Sequence, residues 1–220
     1  DAFPKSWMFK TATQTYLYLV DGESLYKYDG NNDNKWEKVN VTNSDGSSIN
    51  PIDVIEHKDR LCLISETDFY VSANLLPDTF NSATDSLDII VGSGKGKNMS
   101  FGKISDNLFI MNTEAKFRLI GDYISAVAIM FDIEPVEFGV NNIIAGRSCA
   151  SAEGAIFFLA QDLNVYKFNG SLSTKMSHLQ KLEDVINPYR TYLDMAVATY
   201  EDKYYKFSVV ETGNHKNTLE

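Results

Sequence analysis

A short apolar run recurs five times along this chain at nearly even intervals, and that recurrence restricts the possible folds more than any single residue does. The runs are Leu17-Tyr18-Leu19-Val20, Leu61-Cys62-Leu63-Ile64, Leu108-Phe109-Ile110-Met111, Ile156-Phe157-Phe158-Leu159 and Tyr204-Tyr205-Lys206-Phe207. Their first residues are 44, 47, 48 and 48 positions apart. Polar tight turns precede the last four: Lys58-Asp59-Arg60, Ser105-Asp106-Asn107, Ala152-Glu153-Gly154 and Glu201-Asp202-Lys203. Before each turn lies another strand-like run, at residues 52–56, 99–104, 145–151 and 195–200. A second turn follows each of the first four apolar runs, and beyond it comes an amphipathic strand: Leu25 to Tyr28, Phe69 to Val71, Lys116 to Leu119 and Val165 to Phe168. Alternating polarity in those strands places one face inward and the other in water. Fourth strands are expected at 36–41, 87–91, 126–131 and 173–176.

Four antiparallel strands per period of roughly 45 residues is the signature of a β-propeller blade. A meander of that size cannot bury both faces alone, so it must lean on a neighbour. The expectation is therefore an all-β chain of about five four-stranded blades, the last possibly incomplete. Repeats fall at about 7–41, 51–92, 98–133, 144–178 and 192–218. Residues 7–13 are expected to lend a strand to the final blade. An open arc closed by other residues is the alternative, and a β-sandwich of equal strand content is the competing architecture. One segment departs from the β rhythm: Leu179, Leu182, Val185 and Ile186 have helical spacing before Asn187-Pro188, which predicts a short helix near 178–187.

With 44% apolar residues the 220-residue chain can bury a large core. Thirty acidic against twenty basic side chains give a net charge of −10, which disfavours a clamp for nucleic acid. Cys62 and Cys149 read as small buried thiols, with no disulfide framework. Neither a membrane-spanning run nor a signal peptide is visible. The opening on Asp1 and the close on Leu219-Glu220, which resembles a cloning scar, suggest a domain excised from a longer protein.

Candidate chemistry is sparse. Residues 92–97 are rich in Gly and Lys, but Val91 stands where a phosphate loop needs its first glycine and Asn98 where it needs Ser or Thr, so a loop between blades is expected. His57, His178 and His215 lack metal-ligand spacing, and His57 is expected in a surface turn. Ser148 and Ser151 flank Cys149 without a nucleophile elbow. Asp59, Asp106, Glu153 and Asp202 fall in turns, where Asp commonly satisfies backbone amides. Trp36 is expected to anchor a core from an outer strand. Asn40, Asn98 and Asn169 begin glycosylation-type triplets that carry little weight without an export signal. No catalytic, cofactor-binding or metal-binding residue is assigned, and no cofactor is expected.

Several stretches resemble β-propeller structural proteins of tailed phages and prophages, of the tail-nozzle or packaged-DNA-stabilisation type. Phe69-Tyr70-Val71-Ser72 followed by Leu76-Pro77-Asp78-Thr79-Phe80-Asn81 is similar to that family's strand and "D-P-x-x-F-N" turn, with Leu76 in place of the Asp. The run from Asp88 to Gly92 and on to Ile110, and the strand Lys116 to Gly121, resemble its following blade. Ser151, Gly154, Ile156, Phe158, Leu159 and Asn169-Gly170 match the next. The resemblance implies a non-enzymatic virion component of the neck or tail, made in the bacterial cytoplasm. It would form a homo-oligomeric ring with other virion proteins and pass DNA through a channel without binding its sequence or any membrane. The alternatives are a propeller that binds or cleaves carbohydrate, which would gather aromatics and carboxylates on loops, and a scaffold for protein partners.

Overall fold

The structure, a computed structural model, describes residues 4–30, 35–42, 46–80, 87–94, 96–125, 128–139, 141–176, 187–210 and 217–219. Its strands form antiparallel sheets in simple chain order. The first sheet comprises β1 (Lys5–Lys10), β2 (Thr15–Val20), β3 (Leu25–Tyr28) and β4 (Glu37–Val39). The second comprises β5 (Asp53–His57), β6 (Arg60–Ile64), β7 (Asp68–Val71) and β8 (Leu87–Ile90). In the third, β9 (Asn98–Ile104) and β10 (Asn107–Asn112) lead into a long hairpin, β11 (Ala115–Ser125) and β12 (Ala128–Phe138). The fourth is β13 (Ala150–Ala152), β14 (Ala155–Leu159), β15 (Val165–Phe168) and β16 (Ser173–Lys175). The fifth has three strands, β17 (Val197–Glu201), β18 (Tyr204–Val210) and β19 (Asn217–Leu219). The fold is all-β; among the described residues helical structure is confined to 3₁₀ turns such as Val91–Gly94, Gly146–Ser148 and Asn187–Met195.

Two compact units divide the chain, residues 1–98 with 119–133 and residues 99–118 with 134–220. In the first unit, side chains of the first two sheets share one core that includes Phe9, Tyr18, Val20 and Leu25 with Val54, Leu61, Leu63 and Tyr70. In the second unit the fourth sheet is packed on both faces. Ile156 and Phe158 join Phe109 and Met111 of the third sheet, whereas Leu159, on the opposite face by alternation, joins Tyr205, Phe207 and Val209 of the fifth. Phe157 also points to the fifth sheet, stacking on Tyr200 with centroids 5.0 Å apart. Every residue of β14 is buried, as is every residue of β6. A strand packed on both faces needs apolar side chains on both, which is why the run Ile156–Leu159 of β14 looks continuous rather than alternating. Each large side chain so buried contributes on the order of 1.5–3 kcal/mol.

Polar ties between neighbouring sheets repeat with the same period. Lys5 Nζ donates to Asp53 at 2.8 Å, the Lys103 amide to Ser151 Oγ at 2.9 Å, Cys149 Sγ to the Phe101 carbonyl at 3.3 Å, and Gln161 Nε2 to the Thr113 carbonyl at 3.0 Å. The partners of all four bonds are 48 residues apart, one repeat length. Spacing in the sequence thus becomes contact between adjacent sheets. Gly146 marks the closest approach: a Cβ there would lie 2.1 Å from the Met99 carbonyl oxygen, so only glycine fits without backbone movement.

Turn chemistry explains the boundaries. The first-to-second-strand hairpins turn through left-handed residues: Lys58 and Asp59 (φ 51° and 59°), Ser105 (51°), Glu153 and Gly154 (50° and 69°), Asp202 and Lys203 (52° and 69°). Such backbones match strand twist, and non-glycine residues there cost on the order of 1 kcal/mol each. The carboxylates of these turns were expected to cap amides; their backbone conformation is what shapes the turn. Side-chain capping instead serves the next turn, where Asp21, Asn112 and Asp162 each accept an amide two residues on.

Several boundaries differ from expectation. Residues 7–13 do not extend the last sheet: β1 pairs with β2 in register Lys5↔Val20 to Lys10↔Thr15, because the adjacent hairpin offers a partner at once. The strand expected over 145–151 is only Ala150–Ala152, since the approach of Gly146 to Met99 bends the preceding residues into a 3₁₀ turn. His57 ends β5 and is buried, where a surface turn was expected; Lys58 and Asp59 make the turn instead. The helix expected near 178–187 lies outside the described residues except for Asn187, which opens the 3₁₀ segment.

Two substitutions check this packing. Phe158→Asp sets a carboxylate between stacked sheets and should abolish cooperative folding; soluble protein with an unchanged melting temperature would refute the placement. Gly146→Ala should cost about 1–3 kcal/mol in urea unfolding, because the clashing atom is main chain and cannot rotate away.

Candidate functional site

Period-two alternation builds an open cleft on the first sheet. Tyr18 pairs with Lys27 across β2 and β3, and Lys27 with Glu37 across β3 and β4, so the three share a face. Tyr16 lies two positions before Tyr18 on β2, Asp29 follows the end of β3 two positions after Lys27, and Lys35 precedes Glu37 by two. The resulting cleft of about 300 Å³ is lined by Tyr16, Lys27, Asp29, Lys35, Trp36 and Glu37. Trp36 is 44% exposed, with its ring 5.5 Å from that of Tyr28. The outer-strand core anchor expected at this position is thus a rim residue. The chain enters β4 only at Glu37, which leaves the indole beyond the sheet.

Lys27 is the hub. Its ammonium lies 2.6 Å from Asp78, 3.6 Å from Glu37 and 5.3 Å from the Tyr16 ring centroid. Asp78 also accepts the Tyr18 hydroxyl at 2.7 Å. Burial alone would lower the Lys27 pKa, but the Asp78 hydrogen bond and the Asp78 and Glu37 charges outweigh it and raise it above the usual lysine value. Burial, reinforced by Asp78, drives the Tyr18 phenol well above its ordinary range. At neutral pH Lys27 stays charged and Tyr18 protonated, so neither serves as a general base. Donors and acceptors held this way are suited to recognition.

The second unit contains a buried ion pair of a different kind. The Lys116 side chain is 1% exposed, 2.6 Å from Glu137, and donates to the Asn141 carbonyl at 2.9 Å. The ammonium also lies 5.0 Å from the Phe158 ring centroid and 5.8 Å from that of Phe168. Glu137 accepts the Ser173 amide at 2.7 Å and its hydroxyl at 2.5 Å. Burial would raise the Glu137 pKa, yet hydrogen bonds from Lys116 and Ser173 and the Lys116 charge hold it below the ordinary value. Burial lowers that of Lys116 against the opposing pull of Glu137. The pair is enclosed and satisfied within the third sheet, and Ser173, Phe158 and Phe168 join it to the fourth.

The residues weighed from sequence scatter. Ser148 is buried, accepting the Leu159 amide and donating to the Ala145 carbonyl. Lys97 pairs with Glu66 at 2.9 Å, as befits a loop. Asn98 is buried and donates to the Ser65 carbonyl, which closes it to a glycan. His178 and His215 lie outside the described residues. Among the described residues no group of three or more His, Cys, Asp or Glu could hold a metal ion, and no helix is long and apolar enough to cross a membrane. Sequence reading passed over Lys27 and Lys116. Alternation along β2, β3 and β4 could have flagged the former; nothing local marks the latter.

No protein-family model and no curated protein matches the chain. Among solved structures it is similar to PorZ, described as an essential bacterial surface component of the type-IX secretion system of Porphyromonas gingivalis. The identity there is 14% and the TM-score 0.47, over 93% of this chain and 24% of that one. It is also similar to a chain of the yeast Nup82-Nup159-Nup116 nucleoporin complex, at 9% identity and a TM-score of 0.35, over 93% of this chain and 66% of that one. The chain thus spans about a quarter of PorZ and about two thirds of the yeast chain.

Charge deletion tests the role of the buried pair. Glu137→Gln should destabilise by about 3 kcal/mol in urea unfolding by stranding the Lys116 charge, and Lys116→Met in that background should restore most of the loss. The folded pKa of Glu137 is depressed, so its contribution is present above the unfolded value of about 4.3 and is lost as pH falls through the folded one. Between neutrality and acid the wild type should therefore lose more stability than Glu137→Gln, as measured by pH-dependent unfolding midpoints.

Proposed function

We propose that this chain is a β-propeller whose sheets are successive blades, serving as a non-enzymatic structural protein in the neck or tail of a tailed-phage virion. The observation that carries the reading is the seat of the motif on which the phage resemblance turns. Asp78, within that motif, accepts both Tyr18 and Lys27 of the first sheet, while Phe80 enters the core that the first two sheets share. Residues of the motif thus take part in holding the second sheet to the first. Sheets joined in pairs by apolar cores and repeat-spaced ties resist deformation, which suits a component that bears load in a particle.

Outward faces support assembly with neighbours. Met8, paired with Leu17 on the first sheet, is 69% exposed, and Tyr204 on the fifth is 68% exposed. Both are surface that a further blade or a second copy would cover. The partners are copies of the chain in a ring and other virion proteins. The net charge of −10 suits a duct through which DNA slides without being held. The protein would be made in the bacterial cytoplasm and reside in the virion.

Mass spectrometry of purified phage particles, combined with antibody labelling in electron microscopy, tests this. The expected result is the chain at ring-like copy number with label at the neck or tail. Its presence in the lysate and absence from the particles would overturn the proposal.

A further inference from the structure

Independently of the virion reading, we propose that the cleft on the first sheet binds a neutral sugar, seating a single pyranose ring. Three features select that chemistry. First, the lining sets donors beside acceptors: Lys27 and Lys35 against Asp29 and Glu37. Sugar hydroxyls both donate and accept, so each can bridge such a pair, whereas a purely anionic or cationic ligand meets as much repulsion as attraction. Second, the hub is already neutralised. An anion seeking Lys27 must displace Asp78 at 2.6 Å and Glu37 at 3.6 Å, while a hydroxyl can add to the outward side of Glu37, which is 71% exposed, and leave both ion pairs intact. Third, Tyr16 and Trp36 supply aromatic surface in the same lining, suited to the apolar C–H face of a pyranose.

Size and order point the same way. A volume of about 300 Å³ is at the lower end for small-ligand sites, so one ring is accommodated rather than a buried oligosaccharide. Lys27 is held before any ligand arrives by its bond to Asp78, and Gln14 anchors the Asp29 main chain at 3.2 Å, which lowers part of the ordering cost of binding. Tyr16 is partly buried against the shared core and Trp36 stands at the entry to β4, and both line the cleft.

The chain has two tryptophans, so Trp7→Phe leaves Trp36 as the sole indole reporter. Methyl glycosides of glucose, galactose and mannose, and N-acetylglucosamine, are titrated against this variant while the unmodified chain is screened on a glycan array. Choline chloride serves as the cationic counter-probe. The expected result is a saturable change in Trp36 emission with at least one sugar, array signals sharing that sugar, and no response to choline. Glu37→Gln, at an exposed position, should weaken binding about tenfold without moving the melting temperature. A blank array with flat titrations would overturn the proposal. So would sugar binding that Glu37→Gln leaves unchanged, or a response to choline alone.

Discussion

Structure in this protein depends on strands that serve two neighbours at once. Along β14, Ile156 and Phe158 face one sheet while Phe157 and Leu159 face the other. Such a strand cannot alternate between apolar and polar, and it cannot stand in an isolated meander without exposing half its side chains. The requirement explains the continuous apolar runs, their recurrence, and the tight turns that return the chain at fixed intervals. It also makes stability a property of sheet pairs, since the cores formed by the described residues are shared between sheets.

Polar groups refine this arrangement without replacing it. The ties between partners 48 residues apart, such as Lys103 to Ser151 and Gln161 to Thr113, are single hydrogen bonds worth about 1 kcal/mol each. Apolar burial outweighs them, but being directional they fix the register of one sheet against the next. The Lys116–Glu137 pair adds little net stability itself, but Glu137 also accepts Ser173 of the fourth sheet, so packing that pulls Ser173 away weakens the satisfaction of a desolvated carboxylate. The same logic holds at Asp78, which joins Tyr18 and Lys27 to the loop after β7.

Much of the architecture was legible in the residues. The strands Leu25–Tyr28 and Val165–Phe168 fall where alternation places them, and the apolar runs at 61–64 and 156–159 are buried as their composition demands. Misreadings arose where a distant backbone intervened or a nearer strand offered a partner. The Met99 carbonyl against Gly146 shortens a strand that propensity alone would extend, and Lys5–Lys10 takes the nearer partner, β2. The cleft was less legible than the fold. Its members sit at 16, 27, 29 and 35–37, in or beside three different strands, and none stands out in its local sequence.

The sequence by itself determined the class of fold, the repeat length and the turn positions, because these follow from local polarity and backbone preference within a few residues. Only the tertiary structure decided that Trp36 is a rim residue, that His57 is buried and that Asp78 clasps a neighbouring sheet. Those outcomes depend on which side chains meet across strands and sheets, a matter of register and packing between residues tens of positions apart. Local pattern carries no information on that scale except through the repeat itself.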